Sequence, residues 1–321
     1  MNREELALQI KKKALEVGFS AAGITDALIP EKAAAGLNEY IREKRHGTMD
    51  WMQRTQAQRS NPAAYFPQVR SIIMTASNYF RSAEEMRFPA ECGDISLYAR
   101  GRDYHKVIRK RLKILLEFIT GLEPDTNGRP FVDSFPIMEK PLAQKAGLGW
   151  IARNTTLILK GKGSYYFLGG LLLNLELPAD QPFTEDYCGS CHACQEACPT
   201  NALLHDRQID SRRCISYLTI EHSGAIEPSL QKKMQNYVFG CDICQIVCPW
   251  NRFSTDTAEK DFFSRFKLED LKLERLLNLS ENEFNRLFEG TPVRRSGYQN
   301  FLRNAKIARE NLNRQGNKTA D

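Results

Sequence analysis

The stretch Cys188-Gly-Ser-Cys191-His-Ala-Cys194-Gln-Glu-Ala-Cys198-Pro199 has the spacing C-x2-C-x2-C-x3-C-P. Short loops let the first three thiolates close on one face of a four-iron cube, while the proline turns the fourth cysteine toward a neighbouring cube. Such a run needs a second one. It is present in altered form, as Cys214 followed by Cys241-Asp-Ile-Cys244-Gln-Ile-Val-Cys248-Pro249, with its first ligand displaced upstream. The same crossover rule predicts one 4Fe-4S cluster on Cys188, Cys191, Cys194 and Cys248, and a second on Cys198, Cys214, Cys241 and Cys244. Four-cysteine zinc sites also use C-x2-C pairs, but they do not need three-residue spacings that end in Cys-Pro. Cys92 is left over, in a loop flanked by Gly and Pro, and reads as an incidental thiol.

Pro178 and Pro182 mark the upstream border of this module. The chain then divides into residues 1–180, a cysteine module at 181–251 and a basic helical region at 252–321. Upstream, Leu6, Ile10, Ala14 and Val17 form one helical stripe that stops at Gly18, and a short strand near 21–24 follows. Helices are predicted over 31–45, 104–119 and 138–146, the second with Ile108, Leu112, Leu115 and Ile119 inward. A buried strand is predicted over 70–79, with further β-rich runs at 130–133, 155–159 and 165–177. Downstream, Leu268, Leu271, Leu276 and Leu277 keep helical spacing. The expected fold class is α+β: an N-terminal mixed α/β domain, a ferredoxin-like dicluster module and a short C-terminal helical region.

With 42% hydrophobic and 26% charged residues the chain can bury a core and falls outside the disordered class. The N-terminus mixes charges through an amphipathic pattern, where a secretion signal needs an unbroken apolar stretch. The longest apolar runs, at 165–173 and 114–119, are too short to cross a bilayer. The expectation is a cytoplasmic protein, off the membrane, with reduced thiols. Its formal charge of +6 shrinks to about +2 once two clusters, each net 2− with its thiolates, are counted. Net charge therefore says little about a nucleic-acid partner.

An electron carrier needs only the cysteine module, yet a much larger domain precedes it, so the clusters are expected to serve a reaction centre. Gly147-Leu-Gly149 lacks the rest of a dinucleotide fingerprint and Gly161-Lys-Gly163-Ser164 lacks phosphate-loop spacing; both read as turns. The ordered segments GTMDWM (47–52), YARGRDYH (98–105), VDSFPIMEK (132–140), AGLGWIARNT (146–155), RRCISYLTIEH (212–222) and GCDICQIVCPWN (240–251) span nearly the whole chain and resemble the epoxyqueuosine reductase family.

That resemblance implies a fold similar to the corrinoid reductive dehalogenases. It also implies an oxidoreductase that removes the epoxide oxygen of epoxyqueuosine at the wobble position of tRNA, the last step toward queuosine. The implied cofactors are the two clusters and cobalamin, as base-off cob(II)alamin between the N-terminal domain and the nearer cluster. Asp133 matches the family's proton donor, and donation near neutral pH calls for a raised pKa, which burial beside a corrin face would supply by disfavouring the carboxylate. Without the resemblance Asp133 reads as the cap of the helix that follows. The expected cofactor contacts are Arg59, His105, Asp133, Asn154, Ser216, Cys241 and Asp242. Asp103, Tyr104 and Tyr217 are expected close by. Two positions depart from the family: Ala152-Arg153 replaces its usual Gly-Lys before Asn154, and Ser96 stands where some relatives carry a cysteine.

Basic residues concentrate at 42–59, 100–113 and 294–318. In RRSGYQNFLRNAKIAR (294–309), Tyr298 and Phe301 sit among Arg294, Arg295, Arg303, Lys306 and Arg309, a composition suited to phosphates and an exposed base. A solvated basic helix face over core aromatics is the equal alternative. His222 and Ser223 are further candidate contacts to the modified nucleotide. Longer relatives carry a helical-repeat extension at this end, which this sequence is too short to hold. The expected partners are tRNA bearing epoxyqueuosine and an unidentified electron donor, the enzyme itself being a monomer. The competing readings are a corrinoid iron-sulfur reductase of a small molecule and a ferredoxin-like carrier that binds no corrin.

Overall fold

The computed structural model describes residues 2–82 and 88–318. Eight strands are named in chain order: β1 Ala21–Asp26, β2 Ser71–Asn78, β3 Asp94–Ile95, β4 Gly128–Phe131, β5 Trp150–Ile151, β6 Leu157–Ile158, β7 Tyr166–Leu173 and β8 Tyr237–Phe239. Four of them form one antiparallel sheet in the order β1-β2-β7-β4. Side chains alternate across it. Ile73 and Leu171 point to the face covered by the helices Arg3–Glu16 and Tyr104–Leu122, whereas Ile72, Met74 and Leu172 meet Leu142 and Ala143 of the helix Glu139–Lys145. Because both faces are covered, β2 is buried at every position but its last, with Ser71 and Thr75 among its apolar residues donating their hydroxyls to the carbonyls of Leu175 and Gly169.

The helix Arg3–Glu16 opens with a capping box between Asn2 and Glu5. Tyr104–Leu122 buries Ile108, Leu112, Leu115 and Ile119 along one stripe, and Asp103 caps it by accepting the His105 N–H at 3.1 Å. The helix expected to reach residue 45 ends at Arg42, where a turn with Lys44 at φ 53° redirects the chain. The run at 155–159 contracts to β6 because Thr155, at φ 64°, leaves the extended region. The element pattern is the α+β class expected from the sequence.

A second pairing joins distant parts of the chain. β3 lies parallel to β8, which draws Cys92, Ile95 and Ala99 into one core with Val238, Phe239, Leu276, Phe284, Phe288 and Phe301. Cys92 is 2% exposed and burial raises its thiol pKa, the profile of an inert core cysteine. Phe301 is 1% exposed, and the Tyr298 hydroxyl donates to the Leu279 carbonyl at 2.8 Å. These aromatics pack the tail against the body, so the expected stacking platform for an exposed base is not formed by this pair. Gly47, at φ 61°, lies so close to Tyr217 that a Cβ there would come within 2.3 Å of its hydroxyl. That hydroxyl accepts the Thr48 N–H at 2.7 Å and ties the N-terminal part to the cysteine module. Among the described residues no helix is long and apolar enough to cross a membrane.

Candidate active site

Each cysteine run wraps a single helical turn, Ala193–Glu196 in one and Ile243–Ile246 in the other. The thiol of Cys194 is pushed up to about 11, first by burial and then by the charges of Cys248, Cys188 and Cys191. Burial also raises Cys214, with Cys198 as its charged neighbour, and Cys241, with Cys244 and Cys214 beside it. Cys244 is raised by burial and then by Cys214, Cys194, Asp242 and Cys198. Cys248 therefore faces the first run and Cys198 faces the second, the crossed neighbourhood expected from the spacing.

Thiols crowded in this way ionise together only around a cationic core. Backbone N–H groups point at the sulfurs, as Ala202 does toward Cys198 Sγ at 3.3 Å. Among the described residues no three Cys, His, Asp or Glu side chains converge tightly enough to hold one ion. A four-iron cube holds its thiolates further apart than a single ion does, so this all-thiol donor set fits 4Fe-4S clusters better than zinc. Cys214, Cys241 and Met49 all pack against one buried cluster that includes Ile215 and Tyr217, whereas Cys191 reaches the surface.

Met49 also lines a cavity of about 510 Å³ between the N-terminal part, the helix Ile215–Ile220 and the turn at Pro292. Trp51, Tyr98, Ile220 and Phe239 give it apolar walls, and Asp133, His105, Tyr104, Arg59, Glu221 and Arg295 its polar groups. Within the polar end, Tyr104 donates its hydroxyl to Asp133 Oδ2 at 2.9 Å, and His105 Nε2 lies 3.0 Å from the same oxygen. His105 Nδ1 lies 2.7 Å from Asp103 Oδ1. The Tyr104 ring is stacked between His105 and Phe167, with both centroids 4.1 Å away. The Asp133 side chain keeps 51% of its surface open, on the cavity side.

The electrostatics of this group turn on the His105–Asp133 contact. Burial opposes the charge on Asp133, but the hydrogen bond and charge of His105, with Tyr104 and Arg295, hold the carboxyl below its usual range. Burial likewise disfavours the imidazolium of His105, yet Asp103 and Asp133 push it up to about 9. Both directions favour the form of the pair with the imidazole charged and Asp133 as a carboxylate. Asp133 does not cap the next helix, whose N-cap is Met138 with no side-chain cap bond. Instead its backbone N–H donates to Glu139 Oε1 at 2.6 Å. Burial, and then the Asp133 charge, push Glu139 up to about 8.

Of the expected cofactor contacts, Arg59, His105, Asp133 and Ser216 line the cavity. Arg59 lies 5.1 Å over the Trp51 ring and donates to Thr55 Oγ1 at 3.0 Å. Asn154 is buried and donates to the Cys244 carbonyl at 3.1 Å, so it braces the thiol loop from behind. Asp242 is also buried, accepting the Ser96 hydroxyl and, at 2.7 Å, the Leu97 N–H. It anchors the Cys241–Cys244 loop and is not disposed as a corrin contact; Ser96 is its partner.

Among the expected RNA contacts, Arg295 lines the cavity and pairs with Glu221 at 2.8 Å. Arg303 donates to the carbonyls of Leu218, His222 and Gly224 within 2.9 Å, so its head is committed to the fold and is not an RNA contact. His222 Nε2 lies 3.1 Å from the Ala225 carbonyl, while Ser223 and Arg294 are exposed. Trp51, Tyr98, Glu139 and Glu221 were missed as site residues. All four lie in the segments that carry the resemblance, but nothing in their local pattern marks them.

A family model described as a 4Fe-4S double cluster binding domain matches residues 187–251, and one described as epoxyqueuosine reductase QueG, DUF1730, matches residues 59–134. The epoxyqueuosine reductase of Vibrio cholerae is 43% identical over 316 residues, covering 97% of this chain and 85% of the relative. A crystal structure of epoxyqueuosine reductase with a tRNA-Tyr epoxyqueuosine-modified stem loop has a TM-score of 0.86 at 28% identity, covering 97% of this chain and 82% of that one. The Bacillus subtilis epoxyqueuosine reductase, solved with its catalytic aspartate loop swung out of the active site, has a TM-score of 0.85 at 27% identity, covering 97% of this chain and 82% of that one. With near-complete coverage at this level of identity, the chain belongs to the epoxyqueuosine reductase family.

Proposed function

We propose that this protein reduces epoxyqueuosine to queuosine in tRNA, using two 4Fe-4S clusters and cobalamin. One observation carries the reading: the Asp103–His105–Asp133 chain ends in an apolar-walled cavity, and its lining residue Met49 packs on the same buried cluster as Cys214 and Cys241. Removing an epoxide oxygen as water takes two electrons and two protons, so electron relays must end where a proton donor waits.

The crossed sets Cys188, Cys191, Cys194, Cys248 and Cys198, Cys214, Cys241, Cys244 would hold the clusters, which supply electrons one at a time. Met49, Trp51, Arg59 and Ser216 would hold cobalamin, which supplies a strongly reducing metal next to the substrate. The flat apolar walls suit a macrocycle, and the adjacent thiol set suits its reduction. Asp133 presents its open side to the substrate oxygen. His105 stores the proton that the pair passes to that oxygen as the carbon–oxygen bond breaks, and Tyr104 fixes the Asp133 carboxylate through its hydroxyl. Asp103, beside the other ring nitrogen, orients the imidazole and favours its charged form.

The tRNA-bound relative supports tRNA as the partner here, with Arg294 and Ser223 as exposed candidates for contact. A tRNA substrate fits a cytoplasmic site of action, served by an external electron donor. Anaerobic reconstitution with iron, sulfide and cobalamin, followed by mass spectrometry of epoxyqueuosine-containing tRNA treated with a chemical reductant, tests the proposal. Conversion that disappears when cobalamin is omitted is the expected result; bound iron with neither cobalamin uptake nor conversion would sink it.

A further inference from the structure

Asp133 holds its position against a local cost. Its backbone lies at φ 47°, the left-handed region that side chains other than glycine avoid. The chain on either side is tightly folded, with Ser134 N–H on the Val132 carbonyl at 2.6 Å and Ile137 N–H on the Phe135 carbonyl at 2.8 Å. Something must offset that strain. The bonds from Tyr104 and His105 grip only the carboxylate, and the one to His105 changes character whenever the proton moves. The bond that grips the backbone runs from Asp133 N–H to Glu139 Oε1, at 2.6 Å.

Glu139 is built as a fixed post. It is the first residue of the helix Glu139–Lys145, whose Leu142 and Ala143 are fully buried under the sheet, so the carboxylate is held from a rigid element. We propose that Glu139 is the positioning residue that latches the Asp133 loop into the cavity, its carboxyl oxygen holding the Asp133 amide while the Asp133 carboxyl exchanges its proton. Glu139 donates nothing to the substrate. It keeps a strained turn closed so that the acid stays in line with the reacting oxygen. The catalytic consequence rests on the role proposed above for Asp133; the structural consequence does not.

The test uses reconstituted holoenzyme and two readouts. Amide hydrogen exchange of a peptide spanning 130–137 reports the latch, and kcat against KM for epoxyqueuosine-containing tRNA reports its use. Glu139→Ala is expected to speed exchange in that peptide on the order of tenfold while peptides across β2 stay unchanged, and to lower kcat with little change in KM. Glu139→Gln keeps an acceptor oxygen at the same reach and is expected to recover most of both. Glu139→Asp keeps the carboxyl group but falls one methylene short, and is expected to behave like Glu139→Ala.

Iron content and circular dichroism identify a variant that fails to fold, and the Gln and Asp pair then decides alone. Exchange unchanged in Glu139→Asp, or equally fast in Glu139→Gln, would overturn the latch. Faster exchange with unchanged turnover would uphold the latch and overturn Asp133 as the acid.

Discussion

His105 Nε2 stands 3.0 Å from Asp133 Oδ2 while its other ring nitrogen stands 2.7 Å from Asp103, so one imidazole is held between two carboxylates at the edge of the cavity. Two negative partners outweigh the burial that disfavours its charge, and its pKa rises from 6.5 to about 9. Both shifts favour the pair with the proton on His105, the store that the proposed mechanism draws on.

Replacing Asp133 by Asn removes one of the two carboxylates. The His105 titration, followed by NMR of the imidazole carbon, is expected to move from about 9 back toward 6.5. Turnover should fall roughly a hundredfold or more with clusters and cobalamin still bound, the scale of a lost acid catalyst. A histidine whose folded-state pKa is raised adds stability that is full below 6.5 and is lost as pH rises to about 9. Denaturant midpoints should therefore drop across that window in the parent protein and drop less in Asp133→Asn. An equal drop in both would show that the pair is not coupled.

Tyr104→Phe deletes the other donor to Asp133 Oδ2 and keeps the stacked ring. Because that hydrogen bond helps hold the Asp133 carboxyl low, its loss should raise the Asp133 pKa. A lost hydrogen bond of roughly 1 kcal/mol corresponds to about a fivefold fall in kcat, with the melting temperature nearly unchanged. A large loss of stability with normal kcat would place Tyr104 in packing alone.

The crossed cysteine sets make a pairing prediction. Cys194→Ser and Cys248→Ser, distant in sequence, should each abolish the same cluster signal in electron paramagnetic resonance, leaving about four of about eight irons. Cys198→Ser and Cys244→Ser should abolish the other. Loss of one signal by both Cys244→Ser and Cys248→Ser would reject the crossover.

Arg303 and Arg294 differ in what their charges do. Arg303 donates to three carbonyls, so Arg303→Ala should cost roughly 2–3 kcal/mol of stability while leaving the salt dependence of tRNA binding intact. Arg294 is exposed, and Arg294→Ala should leave stability alone and reduce the slope of log affinity against log salt by roughly 0.7–0.9. The reverse outcome would return Arg303 to the RNA surface.

Cluster chemistry was legible because the spacing of a cysteine run is itself a geometric statement: loops of two and three residues bring thiols onto one cube face, whatever surrounds them. The stripe Ile108, Leu112, Leu115, Ile119 and the Ile72-Ile73-Met74 stretch of β2 were legible for a similar reason, since helical and strand periodicity expose one face or two to the core. What tertiary structure alone decided depends on charges and backbones brought together from far along the chain. The Asp133 carboxyl is held low because His105, 28 residues away in sequence, lies against it. Arg303 is structural because carbonyls some 80 residues upstream reach its guanidinium first. Asp242 serves its own loop because Ser96 and Leu97 lie beneath it. A pKa or a free guanidinium is a property of the neighbours within a few ångströms, and sequence order does not name those neighbours until the chain has folded.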